Sequence, residues 1–203
     1  MAEHLTREKT NIDEIESIEH RKKAPSIIRT IIEFALALAL ALGLTWVLKT
    51  YVIEPFEVPT GSMETTIMSG DKLLAEKISL NWSTVSSGDI IVFADKVMPG
   101  RNLVKRVIAT GGQVVDIRDG HVVVDGNPLY EPFTHGSQTY PLDQHFENMN
   151  ITYPFTVPEG HLWVMGDNRE NSADSRYFGS VTEDSVYGRA LMVFWPFEDI
   201  GPL

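Results

Sequence analysis

The chain has 203 residues, a formal net charge of −11 and no cysteine. This length accommodates one domain with a substantial core and one short additional segment. Because phosphate binding requires clustered lysine and arginine, the acidic balance argues against nucleic acid as the main partner. The lack of cysteine excludes disulfide bonds, a thiolate nucleophile and a cysteine-ligated zinc site.

The N-terminal part combines a polar tail with an apolar segment. Residues 1–29 are predicted to form a cytoplasmic tail, since they are polar, of mixed charge and rich in basic residues towards their end. Residues 30–48 read TIIEFALALALALGLTWVL and are interrupted only by Glu33, which lies near the basic end, where it could reach the headgroups or pair with Arg29. Their length approaches the roughly 20 apolar residues that cross a bilayer. We therefore predict a transmembrane signal anchor at residues 30–48.

Two other interpretations of this segment are a buried core helix and a cleavable secretory signal. A helix that is apolar on every side has no solvent face, which disfavours the first. The end of the run at residues 45–49 lacks the small residues of a cleavage site, which disfavours the second. The positive-inside bias then predicts a single-pass protein of the cytoplasmic membrane, with the N-terminus inside and residues 49–203 on the extracytoplasmic side. The basic residues behind this orientation are Arg21, Lys22, Lys23 and Arg29 before the helix and Lys49 after it.

Residues 49–203 have the pattern of an all-β domain. Short runs of β-forming residues alternate with Gly, Pro, Asp and Asn. Arg118-Asp119-Gly120-His121 is predicted to be a hairpin turn. Residues 126–158 have weak periodicity and are interpreted as a loop-rich excursion rather than a separate domain. The predicted strands are residues 72–75, 89–93, 103–109, 114–117, 121–124, 161–165 and 190–195.

A serine and a lysine are the candidate catalytic residues. Ser62 lies in the turn sequence PTGSM at residues 59–63, and Lys105 lies in the apolar strand at residues 103–109. Alternation along a strand makes Lys105 the charged residue of an otherwise apolar face. Desolvation lowers the pKa of such a lysine from about 10.4 towards roughly 7 to 8, where a neutral amine can take the proton of a serine. Arg106 cannot be deprotonated in practice and is interpreted as a structural pairing residue.

Serines in turns and lysines at sheet edges are ordinary, so this pair alone is weak evidence for catalysis. Two neighbouring features strengthen the catalytic interpretation. The Thr60 hydroxyl and the Ser62 backbone N–H could converge on a developing oxyanion. The polar loop at residues 166–176 follows a strand and suits the positioning of an amine. The alternative is a solvated loop, in which an exposed Asp174–Arg176 ion pair contributes little to stability.

Four motifs occur in a specific order after the apolar segment, and together they resemble those of bacterial type I signal peptidases. These enzymes are Ser-Lys endopeptidases, and the chain is similar to their short, single-anchor form. The motifs are EPFEVPTGSM at residues 54–63, GDIIVF at 88–93, VKRVI at 104–108 and GDNRENSADSR at 166–176, followed by Gly179.

The resemblance implies a role for each matching residue. Ser62 would be the nucleophile, and Lys105 would be the general base and later the acid for the leaving amine. Thr60 and the Ser62 amide would form the oxyanion hole, and Ser172 would hydrogen-bond and orient the lysine amine. Asp174 and Arg176 would brace the site without contacting the substrate.

The resemblance also implies a fold and a substrate class. The fold would be mainly β, with an antiparallel catalytic domain and a small β-rich extension. The substrates would be exported preproteins, cut after a small-x-small sequence such as Ala-x-Ala. The partners would be their signal peptides, membrane lipids and, indirectly, the secretion machinery, with no metal or organic cofactor and no nucleic acid. Thr60 departs from many members, which have serine at this position.

Other functional classes stay open at this point. A self-cleaving Ser-Lys repressor would need a basic DNA-binding region, where this chain has an apolar segment. A membrane-tethered binding or assembly factor would keep the fold without activity, and the intact set of catalytic residues argues against it. A sortase-like cysteine enzyme is excluded by the lack of cysteine. The six histidines match no catalytic triad and no metal-binding spacing.

Overall fold

The computed structural model describes residues 27–81, 83–95, 100–143 and 151–203. The chain divides into two compact units, Met1–Val47 and Leu48–Leu203. Helix α1 (Ile27–Tyr51) contains the predicted anchor and extends beyond it by one turn or less at each end. It is long and apolar enough to cross a membrane, and the Nε of Arg29 lies 2.9 Å from a Glu33 carboxylate oxygen. The predicted tail lies almost entirely outside the described residues.

A large antiparallel sheet forms the body of the β domain. Its strands follow the order β1-β2-β11-β3-β4-β9-β10, and β12 also pairs with β11. The strands are β1 (Ile53–Glu57), β2 (Lys72–Glu76), β3 (Ile90–Ala94), β4 (Asn102–Thr110), β9 (His161–Met165), β10 (Val181–Thr182), β11 (Val186–Trp195) and β12 (Gly201–Pro202).

A second, smaller sheet projects from the chain between β4 and β9. Its four strands follow the order β7-β6-β5-β8. Asp119 (φ 50°) and Gly120 (φ 79°) occupy the predicted turn between β5 and β6, with the two positive φ angles that a tight two-residue hairpin requires. The strands are β5 (Val114–Arg118), β6 (His121–Val124), β7 (Asn127–Pro128) and β8 (Phe155–Thr156). This sheet is the predicted β-rich extension.

The predicted strands are confirmed, although β11 begins four residues earlier than predicted, but sequence patterns missed four two-residue strands (β7, β8, β10 and β12) and the longer strand β1. This strand reads IEPFE, and its proline has no N–H to donate to a sheet. Such a strand is tolerated at an edge, and β1 pairs with β2 as the first strand in the order of the large sheet. The missed strand leads directly into the segment that carries Ser62.

Strand β3 shows why the large sheet can hold buried polar groups. Ile90 and Val92 pack into one hydrophobic cluster, and Ile91 and Phe93 pack into another. Both faces of β3 are therefore covered. The next strand in the sheet, β4, pairs with β3 through Lys105 opposite Ile91. The lysine consequently enters an environment with little water.

Candidate active site

Ser62 lies in a single 3-10 turn, Gly61–Met63, between β1 and β2. Met63 is fully buried in the same cluster as Ile90 and Val92, and its carbonyl accepts hydrogen bonds from Thr66 and Ile67. The adjacent Ser62 is 7% exposed. Burial of Met63 thus fixes the position of the serine next to it.

Lys105 reaches this serine from β4. Its Nζ lies 2.5 Å from Ser62 Oγ and 3.0 Å from the carbonyl oxygen of Val104, and the residue is 2% exposed. Burial lowers the pKa of Lys105 from 10.5 to about 8, while the negative charge of Asp174 opposes that shift. A fraction of Lys105 is therefore in the neutral amine form near neutral pH. The structure brings the two predicted catalytic side chains into contact.

The loop that follows β9 supports the serine turn from behind. The N–H of Asn168 donates to the Ser62 carbonyl at 3.2 Å, and its side-chain amide donates to the Gly61 carbonyl at 3.0 Å. A Cβ on Gly166 would lie 2.3 Å from both the Ser62 carbonyl oxygen and Ser172 Oγ, which leaves room for glycine alone. The sequence analysis assigned no role to Asn168 or Gly166. Their position in the fourth motif was the only indication in the sequence that they matter.

Asp174 and Arg176 form a buried pair, so the alternative of a solvated, exposed loop is wrong. Their side chains are 0% and 1% exposed. Arg176 Nε and Nη2 donate to the two Asp174 oxygens at 2.9 and 2.8 Å. Asp174 also accepts from the Gly166 N–H at 3.1 Å and precedes helix α2 (Ser175–Phe178), whose second N–H it caps. The pair therefore holds the loop against the serine turn.

Arg106 makes a second ion pair, with the fully buried carboxylate of Asp167, which is consistent with its interpretation as a structural pairing residue. Its Nε and Nη2 donate to the two oxygens of Asp167 at 2.9 and 2.7 Å. Thr66, which lies just after the serine turn, donates to Asp167 at 2.6 Å. Asp167 thus connects β4 with the segment that carries Ser62. Sequence reasoning placed Asp167 in a motif but did not find this contact.

Thr60 and Ser172 occupy different positions relative to the dyad. Thr60 Oγ1 lies 3.3 Å from Ser62 Oγ, in a small cleft lined by residues 58–60, Ser62 and residues 101–104. Ser172 Oγ is buried and has no hydrogen-bond partner among the described residues. The expected hydrogen bond between Ser172 and Lys105 is therefore not formed in this state. The roles of Thr60 and Ser172 stay predictions.

The arrangement is suited to nucleophilic chemistry. A buried amine contacts a hydroxyl, and a cleft gives access to that hydroxyl. Within the described residues, no group of three or more His, Cys, Asp or Glu side chains is placed to hold a metal ion.

The chain is similar to several known proteins. Residues 31–195 match the family model described as signal peptidase, peptidase S26. A probable signal peptidase I of Mycobacterium leprae is 35% identical, over 81% of this chain and 76% of its own length. The probable signal peptidase I-1 of Synechocystis is 36% identical, over 82% of this chain and 83% of its own length. The crystal structure of a signal peptidase I from Enterococcus faecalis is 33% identical and aligns with 53% of this chain and 97% of its own, with a TM-score of 0.41. The chain belongs to the signal peptidase family, peptidase S26, and is a hydrolase of the kind that removes signal peptides.

Proposed function

We propose that the chain is a membrane-anchored serine endopeptidase that cuts N-terminal signal peptides from exported preproteins with a Ser62–Lys105 dyad. The observation that carries the proposal is the 2.5 Å contact between Lys105 Nζ and Ser62 Oγ in a buried environment. A hydrogen bond to a base of suitable pKa is what converts a serine hydroxyl into a nucleophile. The family match to signal peptidases supplies the substrate class.

In the first half of the reaction, Ser62 forms an ester with the substrate. The neutral Lys105 amine takes the hydroxyl proton as Oγ attacks the scissile carbonyl carbon. The resulting ammonium donates that proton to the leaving amine, and the mature protein departs. In the second half, Lys105 takes a proton from water, the hydroxide attacks the ester, and the proton returns to Ser62 Oγ.

The oxyanion formed in both halves needs hydrogen-bond donors close to the serine. Thr60 lies on the cleft side of Ser62, and its hydroxyl is 3.3 Å from Ser62 Oγ. We assign the donors to the Thr60 hydroxyl and the Ser62 backbone N–H. Donors of this kind are each associated with about a 100- to 1,000-fold contribution to kcat.

We assign Ser172 the role of hydrogen-bond acceptor for Lys105 after proton transfer. A buried hydroxyl without a partner carries a desolvation cost of about 1 to 3 kcal/mol. Once Lys105 is protonated it has three N–H groups to satisfy, and rotation of the Ser172 side chain about its Cα–Cβ bond would bring the hydroxyl oxygen towards Nζ as an acceptor. Asp174 favours the same charged intermediate, because its carboxylate raises the pKa of Lys105 against the effect of burial.

The shape of the cleft supports an extended peptide with small side chains as substrate. Residues 102–104 pair with β3 on one edge, and pairing of β4 with β9 begins at Arg106. The other edge of residues 102–104 therefore has no strand partner among the described residues, and it lines the cleft next to Ser62. A peptide could pair along this edge as an additional strand. The narrow cleft would favour small side chains at alternate positions, as in Ala-x-Ala.

Helix α1 would place the enzyme and its substrate in one membrane. It is a 25-residue apolar helix with the Arg29–Glu33 pair near its N-terminal end. Anchoring two reactants in one bilayer raises their effective concentration. We infer an orientation with the N-terminus inside from the excess of basic residues before the helix.

The test is cleavage of a precursor with an Ala-x-Ala site by the full chain in detergent. Ser62→Ala and Lys105→Ala are expected to lower kcat/KM at least about 1,000-fold. The matched controls Ser86→Ala and Lys72→Ala remove exposed side chains and should keep the wild-type rate. Circular dichroism and fluorescence establish that each variant is folded.

Equal cleavage by all five proteins would contradict the dyad. If the wild type cut no precursor while correctly folded, the endopeptidase proposal would be wrong, and a tethered binding function would take its place. Cutting at a site other than the one after Ala-x-Ala would overturn the specificity alone.

A further inference from the structure

Three arginines lie close behind the dyad, and each has its own carboxylate. Arg106 pairs with Asp167 and Arg176 pairs with Asp174, and all four of these residues belong to the motifs around Lys105 and residues 166–176. The third pair is different. The Arg169 side chain is 0% exposed and donates to Glu131. Glu131 lies 38 residues earlier in the chain, in the excursion at residues 126–158 between β4 and β9.

Arg169 uses all three of its nitrogen positions. Its Nε donates at 3.0 Å to the carbonyl of Gly166, the glycine that touches the serine turn. Its Nη1 donates at 2.6 Å to Thr139 Oγ1, and its Nη2 donates to Glu131. A buried guanidinium without acceptors is strongly unfavourable. The catalytic loop therefore depends on acceptors supplied by the excursion.

The same part of the excursion, residues 131–140, also contacts the other two arginines. The Tyr140 carbonyl accepts from Arg176 Nη1 at 3.2 Å. The ring of Phe133 lies 4.1 Å from the Arg106 guanidinium carbon, in the geometry of a cation–π contact. One short segment thus touches all three cations behind the dyad.

This 131–140 segment is fixed on its other side by the smaller sheet. The N–H of Thr139 donates at 2.8 Å to the carbonyl of Gly120, in the turn between β5 and β6. Thr139 itself is 1% exposed. Its backbone N–H faces the hairpin and its hydroxyl faces Arg169, so this one residue joins the smaller sheet to the catalytic loop.

We propose that the 131–140 segment positions the catalytic loop, with Glu131 and Thr139 as positioning residues that act on Ser62 and Lys105 through Arg169 and Gly166. This inference rests on the proposed function, because it assigns the smaller sheet a part in the same reaction. Loss of the Thr139 acceptor displaces Arg169, then the Gly166 carbonyl, and then the Asn168 contact with the serine turn. It leaves the dyad residues themselves unchanged.

Thr139 offers a matched pair of variants. Thr139→Val has nearly the same shape but lacks the acceptor for Arg169, and Thr139→Ser keeps that acceptor. In the full chain in detergent, Thr139→Val should lower kcat about 10- to 100-fold with little change in KM, because small displacements of reacting groups have effects of this size. Thr139→Ser should stay within about threefold of the wild type on the same grounds.

Two further measurements separate positioning from a loss of stability. The pH dependence of kcat/KM should move to lower pH in Thr139→Val, because a displaced loop takes Asp174 away from Lys105. Amide hydrogen exchange in residues 166–176 should become at least about tenfold faster in Thr139→Val but not in Thr139→Ser. Both are measured well below the melting temperature of each variant.

Slower turnover with faster exchange in Thr139→Val, and neither change in Thr139→Ser, would support the proposal. Unchanged turnover in a folded Thr139→Val, equal losses in both variants, or activity that returns fully on cooling would overturn it. If the wild type cuts no precursor, the endopeptidase function fails. Exchange in residues 166–176 then still decides whether the 131–140 segment holds the loop, and unchanged exchange would overturn that as well.

Discussion

Lys105 and the three arginines behind it are all mostly buried, but they have different hydrogen-bond partners. Each arginine side chain is at most 13% exposed and is paired with a carboxylate at hydrogen-bond distance. Lys105 is 2% exposed, and its described hydrogen bonds go to a hydroxyl and a backbone carbonyl. Among the carboxylates, Asp174 has the largest effect on the pKa of Lys105, and its charge opposes the effect of burial without a hydrogen bond to the amine.

The difference explains how one small region holds both fixed and labile protons. A buried cation that is paired keeps its charge, and arginine keeps it in any case. A buried amine without such a pair has a lowered pKa and can exchange its proton. The arginines therefore serve as a charged framework, and the lysine serves as the base. The following experiments change one side of this comparison at a time.

The largest effect is expected when the lysine is made like its neighbours. Lys105→Arg introduces a cation that cannot act as a base, so kcat/KM should fall at least about 1,000-fold at every pH up to 10. The measurement is precursor cleavage across that range, with folding checked at each pH. Recovery of cleavage at high pH would show that the group at position 105 does not need to lose a proton.

The next effect comes from removing the partner of one arginine. Asp167→Asn leaves Arg106 without its carboxylate and should lower the free energy of unfolding by about 3 to 5 kcal/mol. Urea unfolding of the full chain in detergent, followed by tryptophan fluorescence, measures this loss. The matched control Asp119→Asn, in the exposed hairpin turn, should change stability by less than about 0.5 kcal/mol. Similar values for the two variants would mean that the buried pair is not needed.

The smallest expected effect is the gradual change of kcat/KM with pH in the wild type, which needs no mutation. Because burial lowers the pKa of Lys105 to about 8 and the neutral amine is the active form, kcat/KM should rise about tenfold per pH unit below 8 and level off above it. Cleavage rates at low precursor concentration, from pH 5.5 to 10, give the profile. A midpoint near 10.5 would show that the lysine behaves as if it were exposed.

The sequence was sufficient to predict the parts of this arrangement that follow from local patterns. Alternation and apolar runs predicted the main strands, and the Ser62 and Lys105 motifs identified side chains that lie in contact. Strand β1 was missed because proline lowers the strand signal without preventing an edge strand.

The contacts behind the dyad join segments that are far apart in sequence, and local sequence patterns could not predict them. The contact between Glu131 and Arg169 joins segments 38 residues apart, and nothing in the pattern of either segment specifies the other. The role of Gly166 depends on its close approach to Ser62 in space, although the two residues are more than 100 residues apart in sequence. Burial of the charged side chains Asp167, Arg169, Asp174 and Arg176 could not be predicted either, because the composition of residues 166–176 is that of a solvated loop.

The backing of the serine turn by Asn168 has a consequence for how a substrate arrives. The carbonyls of Gly61 and Ser62 are both occupied by Asn168, so the open approach to the hydroxyl is the narrow side lined by residues 101–104. The edge of residues 102–104 on this side, which has no strand partner in the described part of the chain, can pair with an extended chain, whereas an α-helix uses its own backbone N–H and C=O groups internally and cannot pair there. A signal peptide that lies in the membrane as a helix would therefore have to unwind around its scissile bond, and the ease of unwinding there would help decide which bond is cut.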